Sequence, residues 1–449
     1  LIKIGENTLA DQFINIIGAG LAGSEAAWQV AQRGIKVKLY EMRPHKMPPS
    51  HKTAYFGELV CSNSLRAAGL GNAVGLLKEE MRLFDSLIMQ AADASKVPAG
   101  GALAVDREAF GSYITKALSN HPNIQIIHEE ITDLSQFSGI VIIAAGPLAS
   151  EKLTQAIAAQ INSPYLHFHD AVAPIVDGNT IDMQIAFRAS RYGRGDLPEG
   201  DYINCPMNKE EYLAFYNELV SAELVPLKVF EKEKDFQGCM PIEAMARRGV
   251  DTMRFGPLKP VGIINPHTGT EAYAIVQLRQ DNASATMFNM VGFQTRLTWP
   301  EQKRVFRMIP GLEKAGILRY GVMHRNTYLN SPMLLNADLS LKAKPQICFA
   351  GQITGVEGYV ESAACGMVVG INAARKEQGK TALLYPSTTA LGGLIRYLQI
   401  PNPNFQPMNV TFGLLEPLGQ RIRKKSEKNR LLAERALTDI KNFLLHEQV

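Results

Sequence analysis

The chain has 449 residues, 46% hydrophobic and 20% charged, with a net charge of +4. This is an ordinary soluble balance, with length for two or three domains of roughly 150 residues each. No run reaches the ~18 apolar residues of a membrane helix. The charge is too mild to imply nucleic-acid binding by itself, so such a role needs local basic surface. Residues Leu1 to Glu6 have no signal-peptide shape and no initiating Met. The five cysteines, Cys61, Cys205, Cys239, Cys348 and Cys365, include no CxxC pair. That argues against a disulfide framework or a zinc ribbon and for a reduced, cytoplasmic setting.

In chain order, an apolar run from Phe13 to Ile17 leads into Gly18-Ala19-Gly20-Leu21-Ala22-Gly23. Ala26 to Arg33 reads as a helix stopped by Gly34, and Val37 to Tyr40 as a second strand. Gly18 permits a tight turn, Gly20 lets a pyrophosphate approach the backbone, and Gly23 lets the helix pack on the strand. Amides at the helix start face the anion. Glu41, 23 residues after Gly18, suits ribose hydroxyls and would repel a 2′-phosphate. No second GxGxxG follows a strand, so the nucleotide expected here is a resident FAD, with any nicotinamide a visitor.

Cys61 lies in GELVCSNSLR, among small and polar residues with Arg66 close by. This setting predicts a thiol near a helix start, where nucleophilicity rises. Ile140 to Gly146 reads as a buried strand ending in a glycine turn. From 166 to 330 the pattern becomes short strand-like runs with Gly/Pro breaks, expected to form an inserted α+β domain. The flanking 1–165 and 331–449 would make one discontinuous FAD-binding domain. Cys239, in FQGCMPIE, is expected on a loop between Gly238 and Pro241, with Glu243 close enough to act on a proton. Arg247, Arg248, Arg254 and Lys259 follow, as a surface cluster or as a site for a polyanion.

A third strand-to-glycine turn is ICFAGQITG, containing Gly351 and Gln352, before a small-residue helix from Tyr359 to Ala374. Turns near 18, 146 and 351 predict one parallel sheet assembled from distant segments. Cys348 and Cys365 read as packing residues, and Cys205 is ambiguous. Gly419 to Leu445 reads as an amphipathic helix with a basic first half, either a solvated face or a phosphate-contacting surface. HExxH, P-loop and Ser-His-Asp patterns are absent from the sequence.

GAGLAGSEAAWQVAQRG with Glu41, GELVCSNSLR, FQGCMPIEAMARRG, RFGPLKPVG, AGQITGVEGYVESAACGMVVGINAAR and NFQPMNVTFGLLEPL together resemble the folate- and FAD-dependent tRNA (uracil-5-)-methyltransferases. The resemblance runs from about residue 13 to 435. The FAD fingerprint and Gly351 region are shared with the larger wobble-uridine tRNA-modifying flavoprotein; the two cysteine motifs separate the families.

The resemblance implies a glutathione-reductase-type Rossmann fold and methylation of uridine 54 in the tRNA T-loop. It implies carbon from 5,10-methylenetetrahydrofolate, FAD as carrier and reductant, and NADH or NADPH to reduce it. Cys239 matches the family's proposed nucleophile at uracil C6. Cys61 matches a second catalytic cysteine beside the flavin, assisting methylene handling or acting as base at C5. Tyr359 is a possible aromatic neighbour of the pterin. The expected partners are tRNA and folate, with neither membrane nor DNA. Two competing readings remain, a flavin oxidoreductase acting on a small molecule and a non-catalytic tRNA-binding flavoprotein.

Overall fold

The computed structural model describes residues 13–48, 50–161, 166–226, 240–403 and 405–447. Its first sheet has six strands, in the spatial order Ser340–Leu341, Lys344–Phe349, Val141–Ile143, β1 (Phe13–Ile17), β2 (Lys36–Tyr40) and Ile124–Ile127. All pairs are parallel except the Ser340–Leu341 edge hairpin. The three glycine turns anticipated from sequence thus end adjacent strands. β1 reads FINII and is buried along four of its five residues, as a central parallel strand covered on both faces should be.

Helix α1 (Leu21–Gln32) begins at the fingerprint itself, five residues earlier than the apolar pattern suggested. Leu21, Ala22 and Gly23 already lie in its buried face. The Tyr359–Glu377 helix packs directly on α1. A Cβ on Gly366 would come within 2.1 Å of the Ala22 carbonyl oxygen, and one on Gly370 within 2.7 Å of the Ala26 carbonyl oxygen. The small residues of this helix therefore set the close approach of two helices over the sheet.

A second six-stranded sheet is antiparallel throughout, in the order Phe187–Ala189, Tyr202–Met207, Ala274–Gln280, Met287–Met290, Ile175–Asp177 and Ile317–Arg319. One face carries Ile203, Cys205, Val276, Leu278, Phe288 and Met290 into a core shared with the Lys209–Ser221 and Trp299–Phe306 helices. The opposite face carries Tyr202, Asn204, Gln277, Arg279 and Asn289 as cross-strand neighbours. A polar face on a largely buried sheet must find partners, and part of it finds them in the loop that contains Cys61. Among the described residues no helix is long and apolar enough to cross a membrane.

Candidate functional site

β1 is flanked by β2 on one side and Val141–Ile143 on the other. A crevice therefore opens beyond its carboxyl end, where open α/β sheets bind ligands. Gly18 sits there with φ +99°, and its amide donates to the Tyr40 carbonyl at 2.8 Å. The cleft encloses about 1080 Å³, its open mouth included, and is lined by Gly18, Gly20, Leu21, Ala22, Glu41, Gly351 and Gln352 among others. Ala19 and Gly23 stand behind the wall. The Ala19 amide donates to Glu41 Oε2 at 2.9 Å, and a Cβ on Gly23 would strike the Gly18 carbonyl oxygen at 1.8 Å. Gly20 differs, since a Cβ there would meet no protein atom within 4 Å. Its missing side chain leaves room in the cleft.

Glu41 is engaged more fully than its spacing suggested. Arg43 donates to it from Nε at 2.9 Å, from its amide at 3.1 Å and from Nη2 at 3.2 Å. Burial works against the charge, but the Arg43 hydrogen bonds and charge outweigh it, so the carboxyl sits below its ordinary range. Arg43 is itself buried and reaches Glu58 at 3.2 Å. His51 lines the same cleft, and its Nδ1 is buried with no hydrogen-bond partner. Burial, reinforced by the Arg43 charge, pushes its imidazole down to about 4, so it is neutral at physiological pH.

The Cys61 loop forms part of the wall through Val60, as do Tyr359 and Ser362. No helix starts at Cys61 itself; the loop leads into the Ser64–Ala67 strand. The nearby helix start comes from Tyr359, 298 residues away, whose hydroxyl accepts the Cys61 amide at 2.6 Å and the Ser62 amide at 3.0 Å. Burial and the neighbouring Cys61 push the Tyr359 hydroxyl up, so it keeps its proton. The loop's carbonyls are also held, Leu59 by Arg107 and Val60 by Arg319. Arg279 donates to Ser62 Oγ at 2.6 Å and Asn63 Oδ1 at 3.0 Å. Asn63 Nδ2 in turn donates to Val105 and Gln280 carbonyls, both at 2.9 Å. Every residue from 59 to 63 is thus fixed by groups from distant elements.

Three guanidiniums converge on this loop. Burial opposes the charge of each, but the Asp281 carboxylate, paired to Arg107 at 2.8 Å, holds that arginine above its usual range. Arg279 and Arg319 are depressed by burial, and Cys61 contributes to the electrostatic balance of both. Arg66 turns away to the fully buried Glu361.

Cys239 lies outside the described residues. Just beyond it, Glu243 has both oxygens engaged, by Thr295 Oγ1 and by the Arg296 amide, each at 2.8 Å. It braces two segments, and burial pushes its carboxyl above the ordinary range. Arg254 lies over the Tyr273 ring, 3.5 Å from its centroid, and donates to the Tyr273 carbonyl. Arg247 and Arg248 are exposed. Cys205, Cys348 and Cys365 are buried. Burial pushes Cys348 and Cys365 up to about 12 and Cys205 up as well, which suits inert packing thiols. The C-terminal helix starts at Lys425, so Arg421, Arg423 and Lys424 precede it. Sequence reasoning missed Arg43, His51, Arg107, Arg279 and Arg319. Arg43, two residues past Glu41, had a local signal; the others are isolated residues that only folding brings together.

The parallel sheet, glycine turn and cleft define a protein of the Rossmann-type flavoprotein class. The family described as glucose inhibited division protein A matches residues 13–381. A methylenetetrahydrofolate–tRNA-(uracil-5-)-methyltransferase TrmFO of Acetivibrio thermocellus is 60% identical over 96% of this chain and 98% of its own length. A protein of the same name from Desulforamulus reducens is 58% identical over 98% and 99%. The structure of Aquifex aeolicus GidA in its form II crystal matches with a TM-score of 0.68 at 17% identity, over 96% of this chain and 73% of that one. The chain belongs to the glucose inhibited division protein A family and, within it, to the TrmFO group.

Proposed function

We propose that this chain methylates C5 of uridine 54 in the T-loop of tRNA, taking the carbon from 5,10-methylenetetrahydrofolate with FAD as resident cofactor. The observation that carries the reading is 60% identity across 96% of the chain to a relative named as a methylenetetrahydrofolate–tRNA-(uracil-5-)-methyltransferase; the position in the T-loop comes from the resemblance of the cysteine motifs. The cleft fits an adenine dinucleotide on three counts, which are the open space at Gly20, the unpartnered buried Nδ1 of His51 and the ionised Glu41. Gly18, Gly20, Leu21, Ala22, Glu41, Gly351 and Gln352 would hold it, with Ala19 and Gly23 shaping the turn from behind. When bound and reduced, FAD supplies an N5 that holds one carbon and the electron pair that takes a methylene to a methyl, and NADH or NADPH restores it.

The protein's own residues do the rest. Uracil C5 is a poor nucleophile until a thiolate adds at C6. Cys239 makes that bond, and its sulfur leaves again once the C5 proton has been removed. Cys61 is the second thiol, acting at that proton or at the carbon being transferred. Tyr359, Arg107 and Arg319 fix the loop that carries Cys61, through the Cys61 and Ser62 amides and the Leu59 and Val60 carbonyls. The target base must leave its stack to reach the thiols.

The test is the mass of the RNA product made with isotope-labelled methylenetetrahydrofolate and NADPH. The label should appear on the T-loop uridine, and Cys239→Ala should retain flavin while losing the product. Labelling from S-adenosylmethionine instead, or rapid turnover of small electron acceptors without tRNA modification, would overturn the reading.

A further inference from the structure

Trp299 is 58% exposed, and its ring lies parallel to that of Tyr320, with centroids 5.3 Å apart and planes 13° from parallel. Trp299 opens the Trp299–Phe306 helix, and Tyr320 follows the Ile317–Arg319 edge strand. The pair is held rigidly from beneath. Buried Gln302 accepts from the Gly321 amide and donates to the Gly321 and Leu297 carbonyls, each at 2.8 Å. An indole left open to water on a braced support is a ready stacking surface for another flat ring.

Its position gives it meaning. Tyr320 directly follows Arg319, which holds the Val60 carbonyl next to Cys61. On the other side, the segment leading to Trp299 lies along the residues that follow Cys239. The Ile242 amide donates to the Gln294 carbonyl at 2.7 Å, and the Arg296 amide to Glu243 at 2.8 Å. A cleft of about 630 Å³, its open mouth included, opens there, walled by Met240, Pro241, Glu243, Arg247, Arg248 and Arg296. Arg296 and Trp299 are three residues apart, at most roughly 11 Å of extended chain. An aromatic platform and a cationic cleft therefore adjoin, between the Cys61 loop and residue 240.

We propose that Trp299 and Tyr320 form a platform for an unstacked base of the tRNA loop, next to the target uridine, and that the Arg247–Arg248–Arg296 cleft takes a neighbouring phosphate. This rests on the tRNA-methylating reading and adds to it the place where the loop is held open. Folded RNA is recognised through such splayed bases, stacked on aromatic or guanidinium planes. The cleft's positive charge complements the backbone that must accompany the base.

The chain has two tryptophans, Trp28 and Trp299, so Trp28→Phe leaves Trp299 as the sole indole reporter. Titrating that FAD-loaded variant with a T-arm hairpin RNA should quench its fluorescence saturably, and added salt should weaken binding. Trp299→Ala should weaken hairpin affinity by about 5- to 160-fold, the range for one stacked base. It should keep kcat at saturating tRNA and its flavin spectrum, and Trp299→Phe should recover most of the affinity. Arg247→Ala should flatten the dependence of log affinity on log salt by roughly one phosphate contact. Unquenched Trp299 fluorescence, or unchanged affinity in Trp299→Ala alongside active methylation by the parent protein, would overturn the platform alone. Absence of tRNA methylation by the parent protein would instead overturn the functional reading.

Discussion

The Tyr359 hydroxyl accepts two consecutive amide hydrogens, from Cys61 at 2.6 Å and Ser62 at 3.0 Å, across 298 and 297 residues of sequence. One phenol thereby fixes the backbone on either side of the Cys61 carbonyl. Its own proton remains available because burial keeps the hydroxyl neutral. Without that oxygen, two amides beside the cleft lose their acceptor. An unsatisfied buried amide costs on the order of 1–3 kcal/mol, and the loop is free to drift.

Tyr359→Phe is therefore expected to lower the unfolding midpoint by a few degrees and kcat for methyl transfer at least about tenfold. KM for tRNA should hardly change, because misplacing a reacting group by roughly 1 Å is enough for such losses. Thermal unfolding together with steady-state methylation kinetics reads both. An unchanged kcat would show that Cys61 needs no such clamp.

The fingerprint glycines have separable roles, and alanine tells them apart. Gly20 has φ −73°, open to any residue, and its Cβ would meet nothing. Gly20→Ala should leave the FAD-free protein within about 0.5 kcal/mol of its original stability and weaken FAD binding tenfold or more. Gly23→Ala forces a carbon to 1.8 Å from the Gly18 carbonyl oxygen and should destabilise the FAD-free fold itself. Urea unfolding of the apo variants, paired with flavin titration, distinguishes them. Equal loss of stability in both would refute the separation.

The cleft was more legible in the sequence than the Cys61 loop. Its glycines, Glu41 and the strands before Gly18, Gly146 and Gly351 form continuous local patterns, and local patterns survive translation into structure. The parallel sheet could be read because each of its central strands is an apolar run ending in a turn. Cys61 is half-buried where Cys205, Cys348 and Cys365 are buried, in keeping with its polar sequence setting. The helix that meets it begins at Tyr359, and nothing near residue 61 encodes that contact. Arg107, Arg279 and Arg319 were likewise invisible. Each sits alone in a sequence window, and only the junction of two sheets puts them around one loop. Helix α1 was read too short because Gly and Ala carry little periodic signal, although burial of small residues is what lets α1 pack.

His51 supplies a pH dependence with a definite sign. Its imidazole titrates at about 4 in the folded protein against 6.5 when unperturbed, because burial and the Arg43 charge disfavour the cation. Between those values the unfolded chain binds a proton that the folded chain does not. Stability from this residue is then fully present above about pH 6.5 and declines as pH falls toward 4. A gap of that size is worth about 3 kcal/mol. Glu41 adds to acid sensitivity only at lower pH, since its depressed titration lies below the ordinary carboxyl range. Buried Glu80, raised to about 8, holds over the same interval a proton that the unfolded chain lacks, and works in the opposite direction. The His51 contribution is therefore read as a difference in urea unfolding of the FAD-free protein: between about pH 6.5 and pH 4.5 the parent should lose stability relative to His51→Gln. Parallel slopes for the two proteins across this interval would show that the imidazole beside Arg43 is not held neutral by the fold.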